Sequence, residues 1–179
     1  MLKKIVLVLG SIFLILFIGA LFLDKSLTLT EEIQVNKPIE TVYSFVRKLP
    51  QWPQWTFWSQ KRYPNMQFSC NDQNTSCTWL IPPANTGKLK LQKEIKNQKQ
   101  VYEVLLGENF PFLLTFSFSK VHANKTNVQM QIYVETGYNI FMRYFLPMLK
   151  SKMQPDLQYT LNGLKNSSDS RQNAENRRN

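Results

Sequence analysis

The feature that most limits this chain is the run Ile5–Leu23, IVLVLGSIFLILFIGALFL, nineteen residues without a charge. At the helical rise of ~1.5 Å per residue it extends about 28 Å, close to the thickness of a bilayer's hydrocarbon core. Such a segment reads as an uncleaved signal anchor that spans the membrane once. The alternative is a cleaved signal peptide, whose apolar core is usually about 7–15 residues and ends in a small-x-small site. Here Ile18 and Ala20 make a poor version of that site, and no Cys follows that could carry a lipoprotein anchor. Lys3, Lys4 and the terminal amine precede the run, and Asp24 and Lys25 follow it, so the positive-inside rule favours a cytoplasmic amino terminus. The expected location is the cell inner membrane, single-pass, with the domain periplasmic or otherwise extracytoplasmic.

Outside the cytoplasm a disulfide persists, which makes the two cysteines informative. Cys70 and Cys77 enclose the polar stretch Asn71–Ser76, which reads as a hairpin loop between strand-like runs. Strand ends flanking a loop approach to disulfide distance. The alternative is a pair of buried free thiols, since free Cys behaves as a small hydrophobe. Two Cys and one His lack the ligand count of a zinc centre, so no metal is expected. No glycine pattern that would cradle a phosphate occurs, and no cofactor is expected.

After the span, LTLTEEIQV (Leu27–Val35) alternates apolar and polar with only Glu31 out of step, as a half-buried strand does. Asn36, Lys37 and Pro38 end it. Ile39, Val42, Phe45, Val46 and Leu49 then repeat at helical spacing, with Glu40 in the first turn. The connection LPQWPQWTFWSQKRYP forbids a long regular element but brings three tryptophans. Six runs of period two follow. Their inner faces carry Met66, Phe68 and Cys70; Cys77, Trp79 and Ile81; Leu89, Leu91 and Ile95, broken at Lys93; the run Val101–Leu106; the run Phe112–Phe118; and Val128, Met130, Ile132 and Val134. Connections such as NQKQ, GENFP and HANKTN suit hairpins, and successive hairpins build an antiparallel meander. Phe145, Leu149, Met153, Leu157, Leu161 and Leu164 predict a long terminal helix.

Strand, short helix, tryptophan-rich connection, six strands and a terminal helix is an order that resembles the START-like (SRPBCC) superfamily. Within it the chain is similar to the membrane-anchored bacterial proteins labelled polyketide cyclase/dehydrase-like. The residues that carry the resemblance are IQVNKPIETVYSFV, LPQWPQWTFW and MQPDLQYTLNGLK. A departure is VHANKTNV, where the family often has a Gly-rich turn. The resemblance implies an α+β helix-grip fold, a curved antiparallel sheet around the terminal helix with an apolar cavity between them for a lipid, quinone or polyketide-like ligand. The expected division is a short tail (1–4), the transmembrane anchor (5–23), a START-like domain (27–165) and a disordered tail (166–179). On alternation and resemblance together, Trp79, Tyr102, Val104, Phe116, Phe118, Met130, Ile132, Phe145, Leu149 and Met153 are expected to line the cavity. Trp52, Trp55, Phe57 and Trp58 either close one end of the sheet by packing or form the lip of an entrance.

No catalytic residue is expected. His122 is the only histidine and falls in a predicted hairpin loop; Glu103 and Glu135 lie on the polar alternation of their strands. The net charge is +10. Setting aside Lys3, Lys4 and the tail from Lys165, which has four cations and two acids, leaves +6 on Asp24–Leu164. These charges are scattered, so nucleic acid is not the expected partner. Lys88, Lys90, Lys96, Lys150 and Lys152 could meet anionic headgroups or simply be solvated. The expected function is membrane-anchored, non-catalytic binding of a hydrophobic molecule. The alternatives are an interaction module of an envelope assembly, with the cavity filled, and a cyclase or dehydratase-type enzyme.

Overall fold

A computed structural model describes residues 1–137 and 139–176, with side chains described as far as Ser168 except that of Leu2. The apolar run lies in α1 (Leu2–Leu21), where every residue from Lys3 to Ile18 is exposed. It is long and apolar enough to cross a membrane. The helix starts before Ile5, at Leu2, because neither Lys3 nor Lys4 interrupts helical propensity.

The domain follows within a few residues. Its elements are β1 (Ser26–Val35), α2 (Ile39–Arg47), a 3-10 helix η1 (Leu49–Gln54), β2 (Gln67–Cys70), β3 (Ser76–Ile81), β4 (Asn85–Ile95), β5 (Lys99–Leu106), β6 (Phe110–His122), β7 (Lys125–Glu135), a second 3-10 helix η2 (Ile140–Phe145) and α3 (Leu146–Asn176). The seven strands form one sheet in the order β1-β7-β6-β5-β4-β3-β2. All six pairings are antiparallel. The predicted meander β2 to β7 is therefore present, and β1 closes on its last strand.

Register gives the sheet two distinct ends. Ser26 pairs with Glu135, Leu106 with Phe110, Gly87 with Leu106 and Ile81 with Asn85. The start of β1, the end of β7 and the turns between β3 and β4 and between β5 and β6 therefore share the end from which α1 leaves. This is the proximal end. The distal end carries the β2–β3, β4–β5 and β6–β7 turns and the Asn36–Pro38 link.

One predicted face is corrected by a bulge. Leu91 pairs with Tyr102 and Lys93 with Val101, so Gln92 is an extra residue in β4. A single insertion reverses which side chains face inward. Beyond it Glu94 turns toward α2, where its Oε2 accepts from Tyr43 Oη at 3.1 Å and Arg47 Nε at 2.9 Å. Ile95, expected inward, is 41% exposed. The break at Lys93 in the apolar pattern marks this bulge.

On the terminal helix Leu157, Leu161 and Leu164 are buried as expected, and Leu149 and Met153 are half-buried. Phe145 is not inward. It ends η2 and is 51% exposed, while Leu146 takes the buried position at 4%. The tighter 3-10 turn rotates the side-chain sequence relative to the α-helical spacing used to place it. Gly163 allows α3 to touch the backbone of Trp55, whose carbonyl a Cβ would meet. α3 carries on as helix past Lys165, where a disordered tail was expected, and Ser168 is buried. Extending a helix already nucleated and packed costs far less than starting one, and no Pro or Gly follows Gly163 to stop it. Residues 177–179 of that expected tail lie outside the described residues.

Candidate functional site

The deep interior is filled by aromatic side chains. η1 folds back into the concave face, carrying Trp52 and Trp55, which are 1% and 2% exposed. The ring of Trp52 meets those of Tyr102 at 5.0 Å, Trp55 at 5.6 Å and Phe116 at 5.8 Å in edge-to-face or tilted arrangements. Trp52 Nε1 donates to the Val46 carbonyl at 2.8 Å. The Trp55 indole N–H is buried with no hydrogen-bond partner among the described residues. Tyr102, Val104, Phe116, Met130 and Ile132 are buried here, as alternation predicts, but they line none of the depressions described below.

Polar groups close the distal side of this interior. Gln100 Nε2 donates to the Tyr43 carbonyl at 3.2 Å, and Tyr102 Oη donates to Gln100 Oε1 at 3.0 Å. Burial pushes the pKa of Tyr102 far above its ordinary value, so it stays protonated. Burial, and then the neighbouring Glu94 carboxylate, hold Tyr43 above its usual range as well. Phe118 lies edge-on to Tyr43 at 5.5 Å. Arg47 Nη1 donates to the carbonyl of Asn74 at 3.0 Å, which ties α2 to the β2–β3 loop.

That loop is closed covalently: Cys70 and Cys77 form a disulfide, with Cα atoms 4.0 Å apart. They are direct register partners, and next to them Asn71 N donates to the Ser76 carbonyl at 2.9 Å. Cys70 and Cys77 thus occupy the closer, non-hydrogen-bonded position of an antiparallel pair. Asn71 Oδ1 accepts from the amides of Thr75 and Ser76, and Asn74 takes the positive φ of 51°.

The proximal end is open, with apolar walls and a polar rim. A depression of about 520 Å³ lies between the β5–β6 turn, the end of β7 and the start of α3, with Leu106, Phe110, Val134, Met142, Leu146 and Leu149 as its apolar wall and Glu108, Asn109, Glu135, Thr136 and Asn139 on its polar side. A second, of about 270 Å³, is walled by Phe57, Trp58, Tyr63, Trp79 and Ile81 and shares Leu106 with the first. Trp79 lies flat over its register partner Gly87, where a Cβ would collide with the indole. That contact fixes the ring as a wall, with Trp58 against it at 4.8 Å. The larger space falls in the range of small-molecule sites.

Of the four residues proposed for a lip, Phe57 and Trp58 border a depression, and Trp52 and Trp55 are core. Of the expected lining, Trp79 and Leu149 border a depression. Missed were Leu106, Phe110, Val134, Met142 and Leu146. Leu106 and Phe110 sit at the strand ends that meet at the β5–β6 turn, where GENFP was the signal, and Val134 sits near the end of β7, where alternation gave its inward direction but not its place at a depression.

Neither acid considered for catalysis faces the interior. Glu103 accepts from Gln92 Nε2 on the outer face at 2.9 Å and borders a shallow outer depression of about 270 Å³ with Leu113 and Tyr133, whereas Glu135, exposed at the end of β7, borders both that depression and the 520 Å³ one. His122 is exposed at the distal end of β6. The carboxylate that does turn inward is Glu31, the residue out of step in β1. It is half-buried, and its Oε1 accepts from Gln154 Nε2 at 3.0 Å and Gln158 Nε2 at 3.4 Å, which docks α3 on β1.

A START superfamily protein from Mycobacterium smegmatis superimposes on this architecture with a TM-score of 0.59 at 15% identity, over 80% of this chain and 97% of that one. The fold is the START-like helix grip. A protein from Rhodobacter sphaeroides matches the same grip with a TM-score of 0.59 at 15% identity, over 80% of this chain and 92% of its own. DynU16, from the dynemicin biosynthetic locus, matches with a TM-score of 0.52 at 11% identity, over 79% of this chain and 47% of its own. No family model matches the sequence, and no curated protein matches it.

Proposed function

We propose that this protein is a membrane-anchored, non-catalytic helix-grip domain that holds a hydrophobic molecule, of lipid, quinone or polyketide-like chemistry, at the proximal end of its sheet. The observation that carries this reading is the position of the two adjoining apolar depressions, which lie at the end of the sheet from which α1 departs. A site beside the anchor meets membrane-dissolved ligands at high effective concentration, so modest intrinsic affinity is enough to load it. With Trp52 and Trp55 filling the deep interior, the ligand occupies the proximal depressions and its apolar part lies over Leu106. In this reading α1 crosses the cell inner membrane once with its amino terminus in the cytoplasm, and the disulfide-bonded domain is outside.

The test is native mass spectrometry, with organic extraction, of the full chain released from detergent, comparing the natural sequence with Leu106→Trp, which fills the shared wall. A one-to-one lipid-like adduct that Leu106→Trp loses supports the site. An adduct that survives unchanged overturns its placement. A folded protein that stays empty against a panel of lipids and quinones favours the interaction module, a reading that has the filled interior and the exposed Phe141, Tyr144, Phe145 and Met148 on its side. Reporters at Asn179 that function only inside or only outside the cytoplasm test the topology.

A further inference from the structure

The start of η2 and α3 presents an unusual surface for a domain standing in water. Phe141, Tyr144, Phe145 and Met148 are 37%, 41%, 51% and 48% exposed, all within two turns. The same segment is fastened to the anchor. The Phe141 ring lies 5.7 Å from that of Phe13, Tyr144 Oη donates to the Leu16 carbonyl at 2.8 Å, and Arg143 Nη1 donates to the Ala20 carbonyl at 3.0 Å. Gly19 makes the approach possible, because a Cβ there would stand 2.7 Å from the Tyr144 hydroxyl oxygen.

These contacts fix depth. Phe13 lies eight residues below Leu21, about 12 Å along a helix. If η2 stood above the hydrocarbon, Phe13 and everything after it would stand there too. The remaining Leu2–Ile12 would extend about 16 Å, against a core of about 30 Å. A span and a dry η2 are therefore incompatible.

We propose that η2 and the first turn of α3 form a wedge sunk into the outer leaflet beside α1, with lipid acyl chains covering Phe141, Tyr144, Phe145 and Met148. This rests on the reading of α1 as a transmembrane span. The order of side chains follows the order of the bilayer. Phenylalanine reaches the level of Phe13, tyrosine the level of Leu16, and the arginine the level of Ala20, near the headgroups, as apolar, amphipathic and cationic groups distribute themselves by depth. Arg143 is 7% exposed and forms no ion pair among the described residues. Its bond to Ala20 places a cation on the carboxyl end of the anchor helix, where the helix dipole favours it. Met142 N donates to both the Asn139 carbonyl at 3.1 Å and Asn139 Oδ1 at 3.3 Å, so the wedge carries a capped terminus into the lipid.

The experiment places photoreactive p-benzoyl-phenylalanine singly at Phe13, Phe141, Phe145 and Ile95 of the full chain in phosphatidylcholine–phosphatidylglycerol vesicles, and counts covalent phospholipid adducts by mass. Ile95 is exposed at the distal end and reports background. Adducts at 141 and 145 comparable with those at 13, and about tenfold above those at 95, are expected for groups within reach of the acyl boundary. Adducts at 13 but only background at 141 and 145, or cross-links there to protein instead of lipid, overturn the wedge and leave the span standing. Background at 13 as well overturns the span itself, and the wedge with it.

Discussion

At the distal end of the sheet, Tyr43, Arg47, Glu94 and Gln100 tie α2 to β4 and β5, and the Cys70–Cys77 bond joins β2 to β3. At the proximal end the same strands spread around two apolar depressions, and side-chain bonds run to the anchor region instead, from Thr136 to Lys25, Arg143 to Ala20 and Tyr144 to Leu16. One end uses its polar groups to close its interior, and its two depressions, of about 440 Å³ each, lie on the outside along α2 and the β2–β3 loop among Lys37, Glu40, Arg47, Lys48 and Gln73. The other leaves apolar surface open and fastens to α1. The contrast teaches where this fold keeps stability and where it leaves access: rigid closure and an open depression are incompatible in one place, and the helix grip separates them along the strands.

The strongest way to break this contrast is to weaken the filled interior. Trp52→Ala removes a fully buried side chain and is expected to cost about 3–5 kcal/mol, whereas Leu106→Ala, at the half-buried proximal wall, should cost well under half of that. Denaturant unfolding of the two variants checks the ratio, and equal losses would show that both ends are core. Reduction of the disulfide comes next. Loop entropy for eight residues gives about 2.5 kcal/mol, so a Cys70→Ser/Cys77→Ser variant should unfold at a clearly lower temperature yet keep any ligand bound at the proximal end. Loss of that ligand in a still-folded variant would couple the ends.

The alkaline limb of stability sharpens the comparison further. The raised pKa of Tyr102 means that, once pH exceeds the unfolded tyrosine value of about 10, the unfolded chain gives up a proton that the folded chain keeps. Stability is therefore fully present below that pH and falls above it, by up to about 1.4 kcal/mol per pH unit from this group. Tyr102→Phe should be somewhat less stable at pH 7 but flatten that decline in thermal melts between pH 10 and 11. An unchanged slope would place the sensitivity elsewhere. The smallest effect is expected at Arg47→Ala: its bridge to Glu94 is 26% and 44% exposed, and such pairs contribute about 0.2–1 kcal/mol.

Much of the grip was legible. β1 and the six-strand meander follow from period-two alternation, and the disulfide from two cysteines flanking one polar loop. Other features carried a signal that alternation could register but not interpret. Lys93 broke an inner face because of the bulge at Gln92, and Glu31 stood out of step because it bonds Gln154 and Gln158 on a helix more than a hundred residues away. Phe145 was misplaced because the chain there turns as 3-10 helix, and no residue in FMRYFLPM announces that change of pitch.

The apolar run and the alternation of the strands were enough to establish a candidate span, an antiparallel sheet and the face each strand turns inward, because these depend on spacing along one segment. Which part of that inner face is filled depends on contacts between segments far apart. η1 brings Trp52 and Trp55 against Tyr102 and Phe116, Gly163 lets α3 close over them, and the β5–β6 turn leaves Leu106 and Phe110 uncovered. Periodicity specifies direction and carries no information on depth. Only the packing of η1 and α3 into the sheet decided that the distal interior is solid and the proximal end open.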